Sequence, residues 1–332
     1  MSQPVLSAGA RQPTEPVPSD AAPGRGSPQP GAARRSARRA AEISLYVGPA
    51  LILYVLFVLL PIGLAVYYSL YKWNGLGPLT EFIGFDNYRR ALDDEVFRGA
   101  ITHNGIIVVL SIAIQGLVGI GLALLLNQRM RGRAALRAVY FAPYILSEVV
   151  TAVTWLLMLQ PDGLVDTLLR AVGLGDLIEL WLADTSVVLY TMFVVITWKY
   201  IGFAIILFLA GLQAIPQELI EAAAIDGAGR IQTIRRITLP LLGPTIRIWA
   251  FLSIIGSLQL FDLIWIMTLG GPANASNTMA TYMIDRGFQR YEFGYGSAVA
   301  VILFVISFVV ALAYQRFVLR RDTEGALTRN VR

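Results

Sequence analysis

The segment 217–240, QELIEAAAIDGAGRIQTIRRITLP, is a polar stretch between two long apolar runs, and it decides how the rest of the chain is interpreted. Pro216 fits the start of a helix because an amide donor is not needed there, and the apolar residues that follow recur at helical spacing. The Asp-Gly pair at 226–227 ends this helix, since glycine adopts the left-handed conformation of a helix C-terminus. Residues 230–237 predict a second short helix. The segment therefore predicts two short helices joined by a turn, outside any membrane.

The composition is that of an integral membrane protein. Of 332 residues, 56% are hydrophobic and only 15% are charged, which leaves too few polar groups to cover a soluble globule. The absence of cysteine excludes disulfides, thiolate metal sites and cysteine nucleophiles, and the single histidine, His103, excludes a multi-histidine site. The net charge of +5 comes largely from arginines beside apolar runs. Such arginines indicate membrane topology rather than a nucleic-acid partner.

Six apolar runs are long enough to cross a hydrocarbon core, which requires about 20 residues. They are residues 43–70, 101–127, 136–160, 186–213, 243–269 and 296–318. The predicted fold class is therefore an all-α membrane protein with six transmembrane helices. Residues 1–40 contain many Pro, Gly, Ser and Ala and predict a disordered tail, and 319–332 form a second tail. A cleaved signal peptide is not expected, because the first apolar run comes late and is long.

Arginines mark one side of the predicted membrane protein. With the N-terminal tail in the cytoplasm, three basic segments fall on the same side: Arg129, Arg131, Arg133 and Arg137; Arg230, Arg235 and Arg236; and Arg316, Arg320 and Arg321. Loops on the cytoplasmic side carry an excess of Lys and Arg. We therefore expect both termini and the 217–240 segment in the cytoplasm.

The 214–240 loop carries a family resemblance. Its Glu-Ala-Ala triplet at 221–223, the Asp-Gly-Ala at 226–228 and the Ile-Thr-Leu-Pro at 237–240 resemble the cytoplasmic coupling loop of ABC importer permeases. The resemblance implies a type I ABC importer transmembrane domain over 101–318, preceded by a first span and outer loop at 41–100. It also implies that the loop docks on a cytosolic ATPase through Glu221, Ala222, Ala223, Asp226, Gly227, Ala228, Ile237, Leu239 and Pro240.

The end of the fifth apolar run carries a second pattern. FDLIWIMTLGGPANASNT, residues 261–278, resembles the Phe-Asp, Thr-x-Gly-Gly-Pro and Thr pattern of one permease type in sugar and glycerol-phosphate importers. Pro272 cannot donate a backbone hydrogen bond and disfavours a helical predecessor, so the residues alone explain a sharp helix end. The resemblance adds that this turn borders the place where substrate enters from a binding protein.

Polar residues inside the apolar runs are candidates for substrate contact or for structural pairing. Lys199, Glu148 and Asp262 are charged, and a charge at the bilayer centre costs about 3 kcal/mol on insertion scales. Lys199 either pairs with Glu148 or faces a pathway, and the sequence leaves both interpretations open. The neutral residues Ser111 and Gln115 add hydrogen-bonding capacity.

The resemblance also implies particular substrate contacts. Alignment with the maltose-type permease places sugar-contacting positions on Ile196, Tyr200, Phe203, Ser253, Ser257 and Leu260. Ile196 and Leu260 cannot bond a hydroxyl, which argues against maltose as the substrate. We expect the substrate path to include Tyr200, Phe203, Ser253, Ser257, Lys199 and Gln259.

The sequence contains no phosphate-binding loop, HExxH motif or serine elbow. We expect a non-catalytic subunit that binds no cofactor itself, with ATP and Mg on a partner ATPase. The resemblance implies an ABC ATPase dimer, a second unlike permease subunit, an extracytoplasmic solute-binding protein and a sugar or polyol substrate, in a bacterial or archaeal cytoplasmic membrane. Two alternatives stay open: an ion-gradient-driven secondary transporter, which inverted repeats would indicate, and a structural membrane anchor of an enzyme complex.

Overall fold

The computed structural model of the chain describes residues 45–128 and 130–320, so the predicted N-terminal tail and most of the C-terminal tail lie outside the described residues. Within these ranges the regular structure is helical, apart from one isolated β-bridge between Tyr71 and Phe82. The prediction of an all-α protein is therefore confirmed. The chain divides after Leu60 into two compact units, and the functional residues described below belong to the second.

Five helices are long and apolar enough to cross a membrane: Leu45–Tyr68, Glu95–Leu126, Val188–Gln213, Arg230–Leu258 and Phe293–Leu319. Two further helices, Arg133–Ile145 and Glu148–Met158, together make a sixth candidate span that is bent by 99° at a break. In chain order these elements are spans 1 to 6, and the bent pair is span 3. The predicted number of six spans agrees with this arrangement.

Span 3 breaks where the sequence predicted a continuous run. Pro143 lies inside the first helix, and Leu146 and Ser147 then adopt extended backbone conformations. The Ser147 hydroxyl restarts the helix by accepting a hydrogen bond of 3.2 Å from the Val150 amide. The break was not predicted because an apolar run has the same hydropathy whether it is straight or bent, although a proline inside a helix is a recognised cause of a break.

Span 5 is also broken, at its end remote from the 214–240 loop. The long helix ends at Leu258, and a separate helix, Asp262–Thr268, follows. The chain then turns back through the helix Met279–Ile284 and a π-helical turn, Asp285–Gln289, before span 6 begins. Residues 243–269 were predicted as one run, so this interruption is a second departure from the sequence-based expectation.

The short connections contain small helices. Asp86–Asp93 precedes span 2, and Leu164–Ala171 and the 3₁₀ turn Gly175–Leu177 lie between spans 3 and 4. Asp94 caps span 2, because its carboxylate accepts hydrogen bonds from the amides of Val96 and Phe97 at 2.8 and 3.1 Å.

Span 4 lies at the centre of the packed unit. Sixty-one per cent of its most apolar window is buried, compared with 33% for span 2, 28% for span 5 and 22% for span 6. Its residues belong to three of the hydrophobic clusters, which also include residues of spans 2, 3 and 5. Side chains of span 4 therefore pack against spans 2, 3 and 5.

Candidate functional site

The first helix of the 214–240 loop ends in the conformation that the sequence predicted. Gln217–Ile225 is helical, and Gly227 has a φ of +77°, in the left-handed region. The Gly227 amide bonds the carbonyl of Ala224 at 3.1 Å, and the Ala228 amide bonds that of Ala223 at 2.9 Å. This pair of bonds is a Schellman motif, which satisfies carbonyl groups at the helix end.

The second helix of the loop does not end before Pro240, contrary to the sequence prediction. It is the beginning of span 5, which runs continuously as Arg230–Leu258. A wider π-helical turn, Ile234–Thr238, precedes the proline, and the Leu239 amide bonds the carbonyl of Ile234. The wider turn changes the backbone hydrogen-bond pattern immediately before Pro240, where an undisturbed α-helix would require a donor that proline lacks. Any force on the loop therefore acts directly on a membrane span.

The two helices of the loop enclose a groove of about 340 Å³. Its lining includes the apolar residues Leu219, Ala223 and Ile237 and the charged residues Asp226 and Arg236. Of the residues predicted to contact an ATPase, Ala223 is buried, Ala228, Ile237 and Leu239 are half-buried, and Glu221, Ala222, Asp226, Gly227 and Pro240 are exposed. Within residues 45–128 and 130–320, the Glu221 carboxylate has no ion-pair partner. The groove and the free carboxylate leave this surface available to a partner.

A cavity of about 200 Å³ lies between spans 2, 3, 4 and 5. The described residues that line it are Ile107, Ser111, Gln115, Tyr144, Ile196, Tyr200, Phe203, Trp249, Leu252, Ser253, Gly256, Ser257 and Leu260. They comprise aromatic rings, aliphatic side chains and neutral hydrogen-bonding groups. None of these described residues carries a formal charge.

Four of the six residues predicted for the substrate path line this cavity: Tyr200, Phe203, Ser253 and Ser257. Ile196 and Leu260 line it as well, so the alignment with the maltose-type permease placed all six of its positions on one cavity. Gln259 is exposed at the break of span 5 and is not in the cavity lining, and neither is Lys199.

Lys199 is buried between spans 3 and 4, with 2% of its surface exposed. Its ammonium group donates to the Leu146 carbonyl at 2.6 Å and lies 3.6 Å from Glu148 Oε1. Glu148 Oε1 also accepts a hydrogen bond of 2.6 Å from the Tyr200 hydroxyl. The sequence left open whether Lys199 pairs with Glu148 or faces a pathway, and the structure shows the ion pair. Through Tyr200 this pair connects the break of span 3 to the cavity wall.

Sequence reasoning missed several cavity residues. Tyr144 stacks on Phe203 with ring centroids 5.3 Å apart, and its position next to Pro143 was the available signal. Ser111 and Gln115, which the sequence suggested as hydrogen-bonding candidates without placing them in the substrate path, lie on a π-helical turn, Ser111–Gln115, which widens span 2 beside the cavity. π-Helical turns are frequent at functional sites, but the sequence pattern does not predict them.

Trp249 forms another part of the wall that the sequence did not indicate. Its ring packs so closely on span 2 that a Cβ at Gly116 would lie 2.7 Å from it. Only glycine at position 116 allows this approach, and the indole ring also packs on Phe208 of span 4 with centroids 5.2 Å apart. Three spans are thereby joined at one end of the cavity.

The break of span 5 is held by Asn104, a fully buried residue of span 2. Its side-chain amide donates to the carbonyls of Ser257 and Leu258 at 2.7 and 3.4 Å, where the long helix ends. Its oxygen accepts from the Met279 amide at 2.9 Å, at the start of the returning helix. One side chain therefore satisfies backbone groups on both sides of the break.

Polar residues also join the returning segment to the start of span 2. Asp94 accepts hydrogen bonds from the Tyr282 hydroxyl at 2.7 Å and from Arg286 at 3.3 Å. Burial raises the pKa of Asp94, but the bonds from Tyr282 and the backbone amides, together with the charge of Arg286, outweigh it, so that this pKa lies below its ordinary value. The carboxylate is therefore ionised at neutral pH.

Broken spans around a small uncharged cavity, with a grooved helical loop at one end, define a membrane-spanning subunit of a solute-transport system. Residues 115–323 match the family described as binding-protein-dependent transport system inner membrane component. The chain belongs to this family.

Individual relatives agree with this assignment. The chain is 35% identical over 274 residues to a probable ABC transporter permease protein of Pyrococcus horikoshii, covering 82% of this chain and 94% of the relative. It is 33% identical over 282 residues to the trehalose/maltose transport system permease protein MalF of Thermococcus litoralis, covering 84% and 94%. Among solved structures, a chain of a bacterial alginate ABC transporter in complex with its alginate pentasaccharide-bound periplasmic protein matches with a TM-score of 0.74, 25% identity and coverage of 86% and 96%. The predicted type I ABC importer fold is thus confirmed.

Proposed function

We propose that this chain is the membrane-spanning permease subunit of an ATP-driven, binding-protein-dependent importer, and that it conducts a sugar or related polyol by alternating access. The observation that carries the proposal is the cavity between spans 2 to 5. Aromatic rings such as those of Tyr144 and Phe203 suit the apolar faces of a sugar, and the side chains of Ser253, Ser257 and Gln115 suit its hydroxyls. The sugar-transport relatives favour this function over an ion-gradient-driven transporter.

The uncharged lining supports a neutral sugar in preference to an acidic one. A buried charge on the ligand would require a partner of opposite charge, and none of the described lining residues supplies one. Among the relatives, the trehalose/maltose permease is named for neutral disaccharides, whereas the alginate transporter is named for an acidic polysaccharide. The cavity chemistry fits the first kind of substrate.

The proposed assembly contains two unlike permeases, an ABC ATPase dimer and an extracytoplasmic solute-binding protein. Each permease of such a pair offers one grooved loop to one ATPase monomer, which makes a second permease necessary. In this proposal ATP and Mg bind to the ATPase rather than to this chain. The exposed Glu221 and the groove beside it are the proposed contact with the ATPase.

The proposed orientation places both termini and the 214–240 loop in the cytoplasm of a bacterial or archaeal cell. The cysteine-free sequence allows a direct test with Ala273→Cys in the turn after span 5 and Ile231→Cys in the loop. An impermeant thiol reagent added to intact cells should label the first variant only. Labelling of Ile231→Cys alone would reverse the orientation.

The central experiment measures coupling in proteoliposomes that contain the full assembly and its binding protein. A side chain at Gly227 meets no neighbouring atom, so Gly227→Val acts only by straining a left-handed backbone. We expect it to abolish sugar-stimulated ATP hydrolysis or assembly, whereas Gly227→Asn, which tolerates that conformation, should retain both. Glu221→Ala should release the ATPase if the carboxylate pairs with a buried basic group there.

Arg230→Ala is the matched control in the same loop, because Arg230 is exposed and has no ion-pair partner among the residues that the structure describes. Full stimulation of ATP hydrolysis in both Glu221→Ala and Gly227→Val would contradict the coupling role. Sugar uptake that persists without ATP hydrolysis and collapses with an ion gradient would instead support a secondary transporter.

A further inference from the structure

The break of span 3 interrupts the backbone hydrogen bonds of a helical pair that together is long and apolar enough to cross a membrane. The 99° bend separates Arg133–Ile145 from Glu148–Met158, so the Leu146 carbonyl has no partner in a continuing helix. In a hydrocarbon environment such a group requires an internal donor. The donor is the Lys199 ammonium at 2.6 Å, a side chain that is 2% exposed and belongs to span 4.

The same break lies beside the aromatic wall of the cavity, which is assembled from two spans. Tyr144, two residues before Leu146, stacks on Phe203 of span 4 at 5.3 Å and meets Tyr200 edge-on at 6.2 Å. Lys199 is adjacent to Tyr200 in the chain. Its bond to span 3 therefore fixes the distance between the two halves of the wall.

Glu148 connects the charge of Lys199 to the cavity. Its Oε1 lies 3.6 Å from the Lys199 ammonium and accepts a hydrogen bond of 2.6 Å from the Tyr200 hydroxyl. Glu148 is also the first residue of the helix that restarts beyond the break. Lys199 and Glu148 thus span the break from both sides, and neither of them lines the cavity.

We propose that Lys199 is a positioning residue for transport: it holds the break of span 3 against span 4 and thereby fixes the cavity wall formed by Tyr144, Tyr200 and Phe203. Its essential contribution is the hydrogen bond to the Leu146 carbonyl, and the ion pair with Glu148 neutralises the charge that this bond brings into the membrane. The role rests on the proposed function only where sugar uptake is measured.

Three substitutions separate the hydrogen bond from the ion pair. Lys199→Met has a similar length but has neither donor nor charge. Lys199→Met combined with Glu148→Gln removes both charges, keeps an acceptor for Tyr200 and still leaves the Leu146 carbonyl without its donor. Lys199→Gln supplies a neutral donor in place of the ammonium.

The reporter is a cysteine at Ala152, which is fully buried in the helix just beyond the break, with Ala100→Cys in span 2 as an equally buried control. Loosening of the break opens the segment around Ala152 and should raise its rate of labelling by a maleimide in membranes. We expect an increase of about fivefold or more in both Lys199→Met and the double variant, and within about twofold of wild type for Lys199→Gln. Labelling of Ala100→Cys should stay unchanged in all of them.

Recovery of slow labelling in the double variant would mean that Lys199 serves only as the partner of Glu148, and the proposal would be wrong. Unchanged labelling in Lys199→Met would overturn it as well. If Lys199→Met does not accumulate in membranes, the test depends on Lys199→Gln. Accumulation of Lys199→Gln with slow labelling would support the hydrogen bond. Its failure to accumulate would show that the charge is required and would contradict the proposal.

Sugar uptake by the same variants gives a second readout. We expect uptake by the full assembly to fall about fivefold or more in Lys199→Met and in the double variant, and to recover in Lys199→Gln. Absence of sugar uptake by the wild-type assembly would contradict the proposed function, while the labelling rates would still test the role of Lys199.

Discussion

Spans 3 and 5 both break beside the same cavity, but the side chains that hold the two breaks differ in charge. Asn104 satisfies the break of span 5 with a neutral amide that uses both its donor and its acceptor. Lys199 satisfies the break of span 3 with a charge, which in turn requires Glu148. Both breaks are therefore held by a side-chain hydrogen bond to a backbone carbonyl, and at span 3 the donor also carries a charge.

This difference follows from what lies beside each break. The bonds of Asn104 join the end of span 5 to the helix that follows it, so we expect them to stabilise the fold. The bond of Lys199 holds the aromatic wall of the cavity, so we expect it to affect transport. We therefore expect substitutions at Asn104 to act on stability and substitutions around Lys199 to act on transport.

The largest effect is expected for Asn104→Leu. The substitution leaves the Ser257 carbonyl and the Met279 amide without their side-chain partner, and each buried unsatisfied group costs about 1–3 kcal/mol. The free energy of unfolding should fall by roughly 2–6 kcal/mol in total. The measurement is the thermal unfolding midpoint of the purified protein, followed by tryptophan fluorescence or by loss of monodispersity.

Thr102→Val is the matched control for this substitution, because among the described residues the exposed Thr102 hydroxyl bonds only the Arg98 carbonyl of the same helix. Equal midpoints for the two variants would remove the distinction between the breaks. A normal midpoint with impaired uptake in Asn104→Leu would reverse it.

Lys199 and Asn104 also differ in how far the sequence predicts their roles. Gly227 and Pro216 signal their conformations locally, so the loop helix and its end were predicted correctly. Opposite charges in neighbouring apolar runs made a pairing of Lys199 with Glu148 a reasonable alternative. The role of Asn104 could not be predicted, because its partners are remote in the chain and hydropathy records only that the region is apolar. The breaks of spans 3 and 5 were not predicted for the same reason, because hydropathy does not depend on the direction of a helix.

The next effect concerns the wall that Lys199 holds. Tyr200→Phe removes the hydroxyl that bonds Glu148, while the ring remains at a position that lines the cavity. A hydrogen bond to a charged group contributes about 1.5–3 kcal/mol, so uptake should fall about tenfold or more with little loss of membrane protein. Initial rates of sugar uptake, normalised to the amount of assembled transporter, measure this. A lower unfolding midpoint with normal uptake would place Tyr200 with Asn104 instead, as a stabilising residue.

A smaller effect is expected for Ser257→Ala, at the edge of the break of span 5. Its backbone carbonyl keeps the bond from Asn104, so only a hydroxyl in the cavity is lost. Loss of one neutral hydrogen bond to the sugar costs about 1 kcal/mol, which corresponds to roughly fivefold slower uptake. Ser307→Ala is the control, because Ser307 is also buried but lies in span 6, outside the described cavity lining. Equal uptake by both variants would remove Ser257 from the substrate path.

The smallest effect is expected for Asp94→Asn. Asp94 bonds Tyr282 and Arg286 of the segment 279–289, whose first residue, Met279, is bonded by Asn104. Its pKa is below the ordinary value, so its contribution to stability is present above the ordinary carboxyl pKa of about 4 and is lost as the pH falls through the lower, folded-state pKa. Asp94→Asn should lower the free energy of unfolding at neutral pH by about 1 kcal/mol, as is typical of partly screened ion pairs. Below that lower pKa the wild-type carboxylate becomes protonated, and the unfolding midpoints of the two proteins should converge. Asp93→Asn is the neighbouring control, because Asp93 is exposed and has no ion-pair partner within the described ranges. A difference in unfolding midpoint that persists at low pH would mean that Asp94 acts through packing rather than through its charge. Asp94 would then stabilise the segment 279–289 without charge, as Asn104 does.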